Sequence, residues 1–124
     1  MLGDNDAIAT IPVKDIDEAR TFYQETLGLL SGPSRTPGVL TRKSGSSSVL
    51  VYQSEHAGTN EATAATWAVD DVESLVAALK DKGVTFEHYD FPNTRREGDV
   101  HVSGSMKSAW FKDPSGNILA VVSR

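Results

Sequence analysis

The sequence predicts an α+β domain built from two copies of one βαβββ unit, and three observations support this. The segment Ala9-Thr10-Ile11-Pro12-Val13-Lys14-Asp15-Ile16-Asp17 returns as Ala65-Thr66-Trp67-Ala68-Val69-Asp70-Asp71-Val72-Glu73. In both copies an apolar run ends at an aspartate, a helical pattern follows, and a glycine (Gly28 or Gly83) closes it. A repeat of this kind marks paired supersecondary units. Strands cluster after each helix instead of alternating with helices, which argues against a doubly wound parallel sheet.

The first strand is read from Asp6 to Val13. Asp15 caps the helix behind it, and Glu18 stands where a capping box needs it. Ile16, Ala19, Phe22, Tyr23 and Leu27 fall at helical spacing and form one apolar stripe. Gly28 suits the left-handed residue after a helix end. Ser31-Gly32-Pro33-Ser34 and Pro37-Gly38 read as turns, and strands follow near Val39–Lys43 and Ser48–Gln53 through Gly45. The polar stretch Ser54–Glu61 is read as a linker, so the chain divides into modules of about 1–54 and 62–124 within one domain, 1–124.

The second module opens with a strand from about Ala62 to Val69. Its helix runs from Asp71 to about Lys82, with Val72, Leu75, Val76 and Leu79 on the buried side. Val84–Tyr89 is the next strand, and Phe91–Asp99 reads as a mobile surface loop. Met106–Lys112 and Asn117–Ser123 are the last strands. Asp113-Pro114-Ser115-Gly116 joins them as a type I turn, with proline second and glycine fourth.

Composition narrows the function. The 124 residues carry a net charge of −5, which disfavours nucleic acid or an anionic membrane as partner. Hydrophobic residues are 39% and charged residues 23%, ordinary for a soluble globular protein. No apolar run has the length of a membrane span, and the start of the chain has no basic n-region, so a cytoplasmic protein is expected. Cysteine is absent, so disulfides and thiolate chemistry are excluded.

The two strand–helix junctions and the closing Trp110-Phe111-Lys112-Asp113-Pro114-Ser115-Gly116-Asn117-Ile118-Leu119 resemble the vicinal oxygen chelate superfamily. That group holds glyoxalases, extradiol dioxygenases and bleomycin-resistance proteins. The resemblance covers essentially the whole chain. It implies two βαβββ units curled into a half-barrel cleft, which in metal-dependent members holds one divalent ion. The ligand positions carried over from the resemblance fall at Ile8, Ala64, Ala120 and either Val51 or Val49. Divalent ions need oxygen or imidazole donors, which aliphatic side chains lack. No metal and no cofactor are therefore expected.

Period-2 alternation places Ile8, Thr10 and Pro12 on one strand face and Ala64, Thr66 and Ala68 on its counterpart. Val49, Val51 and Gln53, with Ile118, Ala120 and Val122, are read as completing the inner surface. Trp110 lines it, whereas Trp67 and Phe111 have core parity. Such an apolar concavity with a few polar groups suits a small organic ligand. The expected ligand-binding set is Thr10, Val51, Gln53, Ala64, Thr66, Trp110 and Ala120.

The leading reading is a metal-free binding protein for an apolar or aromatic metabolite or antibiotic. Its rival is a glyoxalase-like lyase, isomerase or dioxygenase with a metal at non-standard ligands. Acid–base catalysis at His101, Glu87 or Asp90 is a third reading. Arg95-Arg96 reads as a solvated loop or as a positive lip for an anion. Homodimers are common among small members of the family the chain resembles, so a homodimer is expected.

Overall fold

Asp15 and Asp71 start the two helices as their spacing demands. In the computed structural model, which describes residues 1–34 and 36–124, the Asp15 carboxylate accepts from the N–H groups of Asp17 and Glu18 at 2.9 and 3.1 Å. Asp71 accepts from the N–H and hydroxyl of Ser74 at 3.0 and 2.7 Å. These oxygens satisfy amides that a helix start otherwise leaves without partners.

The first unit comprises β1 (Ala9–Val13), α1 (Ile16–Thr21, continued by a π turn over Phe22–Thr26), β2 (Leu30–Ser31), β3 (Val39–Ser44) and β4 (Ser47–Gln53). The second comprises β5 (Thr63–Val69), α2 (Val72–Asp81), β6 (Phe86–Glu87), β7 (Arg95–Glu97), β8 (Val100–Ser103), β9 (Met106–Lys112) and β10 (Ile118–Ser123). The fold is mixed α+β, with one sheet in the order β1-β4-β3-β2 and a second in the order β5-β10-β9-β8-β7. In each, the first strand runs parallel to the last, β1 with β4 and β5 with β10, so the repeat in sequence is a repeat in topology. No helix is long and apolar enough to cross a membrane.

One apolar cluster runs beneath both helices. Tyr23, Phe111, Ile11, Leu119, Val13, Val51 and Val72 are its largest fully buried side chains. Full burial of a side chain of this size contributes about 1.5–3 kcal/mol.

Several expectations need correction. The Phe91–Asp99 segment is not simply a loop. Arg95–Glu97 pairs with Val100–Ser103, a strand that alternation in the sequence did not reveal. The two are joined through Gly98, whose φ of +64 suits a tight hairpin. The expected Val84–Tyr89 strand contracts to Phe86–Glu87, because beyond it the Tyr89 N–H bonds to His101 instead of to the ladder. The first strand begins at Ala9, so Ile8 stands before it and is 53% exposed. The helix expected through Leu27 loosens after Thr21, with Leu27 N–H bonding the Phe22 carbonyl.

Candidate functional site

Residues paired across neighbouring strands point to the same face of a sheet. In β1 and β4 the pairs are Ala9 with Val49, Thr10 with Leu50, and Ile11 with Val51. Ile11 and Val51 are fully buried, so Val49 and Val51 face the helices. This corrects the expected inner surface: opposite the helices, Thr10 and Pro12 stand beside Leu50 and Tyr52. Both phases of β4 are apolar, so alternation could not tell them apart and only the register does. Gln53 pairs with Val13 at the strand end and donates from Nε2 to the Lys14 carbonyl at 3.3 Å.

The second sheet keeps the expected parity. Ala120 pairs with Thr66 on one side and Trp110 on the other, so three of the anticipated residues form one row across β5, β10 and β9. Glu87 of β6 extends it beyond Trp110. Ala64 is skipped by the register shift between Ile118 and Leu119, a bulge, and is exposed. Thr66 is exposed and Ala120 is 2% exposed. Thr10 is exposed, and its hydroxyl donates to the Ile8 carbonyl at 3.3 Å.

Trp110 is the centre of an aromatic group that the sequence did not show. Phe91 lies 5.3 Å from it and Tyr89 5.6 Å, the latter edge-to-face, and the His101 ring is perpendicular to it at 4.9 Å. The Trp110 indole N–H donates to Thr63 Oγ1 at 3.2 Å, which fixes the ring. A cavity of about 240 Å³ opens here, lined by Thr63, Tyr89, Phe91, Trp110 and Ile118 among others. The β6–β7 segment carries Tyr89 and Phe91 onto this face. Their spacing, Tyr89 and Phe91 two residues apart, was the one available signal.

His101 is 2% exposed. Its Nε2 accepts from the Tyr89 N–H at 3.0 Å, and its Nδ1 is buried with no hydrogen-bond partner among the described residues. With its lone pair occupied, Nε2 is not free to take a proton from a substrate. His88 sits apart, on Asp99 at 2.7 Å. Arg95 is paired with Glu97 at 3.1 Å, while Arg96 lies opposite His101 in the β7–β8 ladder. Arg42, on the helix side of β3, is 5% exposed, and burial followed by nearby Arg20 holds its pKa below the ordinary guanidinium value.

A larger cavity, about 420 Å³, lies on the helix side of the sheets and draws on both units: Leu27–Leu30 and Lys43–Gly45 from the first, Trp67 and Leu75 from the second. This cavity, shared by the two halves, is therefore not on the Thr10 and Thr66 face.

The positions that the resemblance assigned to metal ligands, Ile8, Ala64, Ala120 and Val51 or Val49, have no donor atom in their side chains, and both Val49 and Val51 face the core. Among the described residues, no three His, Asp or Glu side chains are grouped so as to share an ion. The residues present do not fit a divalent metal of the family kind.

Two repeated units, each opening β–α and closing with a strand parallel to its first, define the class of protein; the second carries two more short strands than the first. The sequence signature described as "Glyoxalase/Bleomycin resistance protein/Dioxygenase superfamily" matches residues 6–121, and the chain belongs to that superfamily. Comparison with curated proteins finds no match. Among solved structures, the chain is similar to an integron cassette protein from the mobile metagenome of the Halifax Harbour sewage outfall (TM-score 0.72, 20% identity, covering 97% of this chain and 98% of that one). It is also similar to TnmS3, an antibiotic binding protein from Streptomyces sp. CB03234 (TM-score 0.68, 20% identity, covering 96% and 94%). A third is lactoylglutathione lyase from Agrobacterium tumefaciens (TM-score 0.70, 18% identity, covering 96% and 92%). At these identities the likeness concerns the fold, which in this group serves both binding and catalysis.

Proposed function

We propose that this chain is a metal-free small-molecule-binding protein of the glyoxalase/bleomycin-resistance type, taking an aromatic or apolar metabolite or antibiotic. The observation that carries this reading is the cavity of about 240 Å³ beside Trp110, lined by Thr63, Tyr89 and Phe91, where a fixed indole can receive a flat ligand. Phe91 and Tyr89 add further ring surface, and offset or edge-on contacts between rings are each worth about 0.5–1.5 kcal/mol beyond burial. The same fold in TnmS3, an antibiotic binding protein, supports the reading. Thr66 and Thr10 are the polar groups available for orientation, and Ala64 at the bulge keeps the adjoining surface low. The protein is taken as one cytoplasmic domain acting as a homodimer.

The test is thermal-shift screening against aromatic metabolites and antibiotics. A true ligand at a hundredfold excess over its Kd adds about 2.7 kcal/mol of stability. Absence of any saturable shift would sink the binding reading. Titration with Ni²⁺, Zn²⁺, Mn²⁺ and Fe²⁺ tests the metal-free part, since stoichiometric binding at micromolar strength would favour the enzyme instead. Gel filtration tests the dimer.

A further inference from the structure

We propose that the ligand held at Trp110 carries a positively charged alkylammonium group, tertiary or quaternary, seated in the cavity against Tyr89, Phe91 and Trp110. This rests on the reading of that cavity as the binding site and names the chemistry it selects. The cavity, about 240 Å³, is smaller than the roughly 300 Å³ at which sites for whole drug-sized molecules begin, so it suits a compact head group.

Three rings meet here without stacking. The planes of Tyr89 and Trp110 are inclined by 76°, those of Phe91 and Trp110 by 50°, and those of Tyr89 and Phe91 by 55°, with centroids 5.6, 5.3 and 6.0 Å apart. One flat molecule cannot lie parallel to all three, whereas a rounded ammonium can rest against each. The face of an aromatic ring is the negative part of its quadrupole and attracts a cation within about 6 Å of the centroid. The indole is in place before binding, held by its N–H bond to Thr63 and by the perpendicular His101 ring at 4.9 Å, which lowers the ordering cost.

Glu61 supplies the counter-charge. It is the only carboxylate of the described lining, which holds no lysine or arginine. It is exposed and forms no ion pair among the described residues. It stands two residues before Thr63, the acceptor for the indole, so carboxylate and ring are anchored at the same end of β5. On the same face, Glu87 is paired with Lys112 at 3.3 Å, and Arg96, across from His101, lies outside the lining. The net charge of −5 draws cations toward the chain as a whole. Alkylation of the nitrogen matters because ring walls accept few hydrogen bonds. A primary ammonium would leave donors unmet there, whereas a quaternary one has none.

The test is calorimetric titration at neutral pH with (4-hydroxyphenyl)trimethylammonium against 4-tert-butylphenol, a neutral molecule of the same shape. Saturable one-to-one binding of the cation below millimolar is expected, with the neutral isostere at least tenfold weaker. Glu61→Lys should weaken the cation at least tenfold and leave the isostere unchanged. Phe91→Ala, at a residue 46% exposed and so of little consequence for folding, should weaken the cation at least threefold. Equal binding of cation and isostere would overturn the proposal while leaving the aromatic site standing. No binding of either probe would overturn it as well, and a silent thermal-shift screen would then remove the site reading too. A cation indifferent to both Glu61→Lys and Phe91→Ala binds elsewhere, which also overturns it.

Discussion

The Tyr23 hydroxyl donates to Asp113 Oδ2 at 2.7 Å, joining the first helix to the last turn of the chain. Both residues are buried, and burial followed by the Asp113 carboxylate pushes the phenol's ionisation far above its ordinary range. The same carboxylate accepts from the N–H groups of Ser115 and Asn117 at 2.9 and 2.8 Å. Asn117 in turn donates from Nδ2 to the Pro12 carbonyl at the end of β1, and Ser115 Oγ accepts from Lys14 N–H. The Asp-Pro-Ser-Gly-Asn turn is thus a clamp between the two units.

Removing the hydroxyl with Tyr23→Phe leaves Asp113 its other donors, so the cost should be about 1–2 kcal/mol. Asp113→Ala strands Tyr23 and two backbone amides together and should cost about 3 kcal/mol or more. Urea unfolding measures both, and equal losses for the two variants would contradict the clamp.

Gly58 packs its backbone against the same turn. A Cβ there would lie 1.9 Å from the Ser115 carbonyl oxygen, at a φ of +72. Gly58→Ala should therefore destabilise by roughly 3 kcal/mol or more, combining backbone strain with a clash no rotamer relieves. Gly104, at φ +60 with open space around it, is the control, and its alanine variant should cost only about 1 kcal/mol.

Asp99 fastens the β7–β8 hairpin to α2 through Lys80 at 2.7 Å and to His88 at 2.7 Å. Lys80 first, then His88, hold its pKa below the ordinary 3.8. A depressed folded-state pKa means stabilisation that is present above the ordinary value and lost as pH falls through the folded one. Since Lys80 is 56% exposed, the effect should be only on the order of 0.5 kcal/mol. Asp99→Asn should melt below the parent protein near neutrality, and the gap should close as the pH falls below the ordinary 3.8. A gap that persists in acid would point to a cause other than charge.

Trp110→Ala should weaken any aromatic ligand found in the thermal-shift screen by about tenfold, the worth of one good ring contact. Its effect on folding should be modest, because the ring is only partly buried. A ligand whose affinity is unchanged in this variant does not use the aromatic site.

Much of the architecture could be read in the chain because its signals are local. Asp15 and Asp71 cap helices, Gly83 ends one with Val84 N–H returning to the Leu79 carbonyl, and Met106–Lys112 is the strand its alternation requires. The row through Thr66 was legible because β5 sets Ala64, Thr66 and Ala68 against Trp67 and Val69, whereas β10 is apolar in both phases and owes the place of Ala120 to its register. Val51 was misplaced because β4 is apolar in both phases, and the β8 strand was missed because Val100–Ser103 is too short to show a period.

Periodicity assigns residues to shared faces within one strand, and caps and glycines mark where each element stops; both act over a few residues. Which face meets the helices, and which residues become neighbours across strands, is settled by pairing between segments far apart in the chain. Only the folded arrangement could therefore turn Val51 inward, bring Tyr89 and Phe91 over Trp110, set Tyr23 on Asp113, and open the cavity between the units on the helix side. Burial of apolar area drives that arrangement without regard to sequence distance, and the register that buries most while leaving the fewest polar groups unpaired prevails.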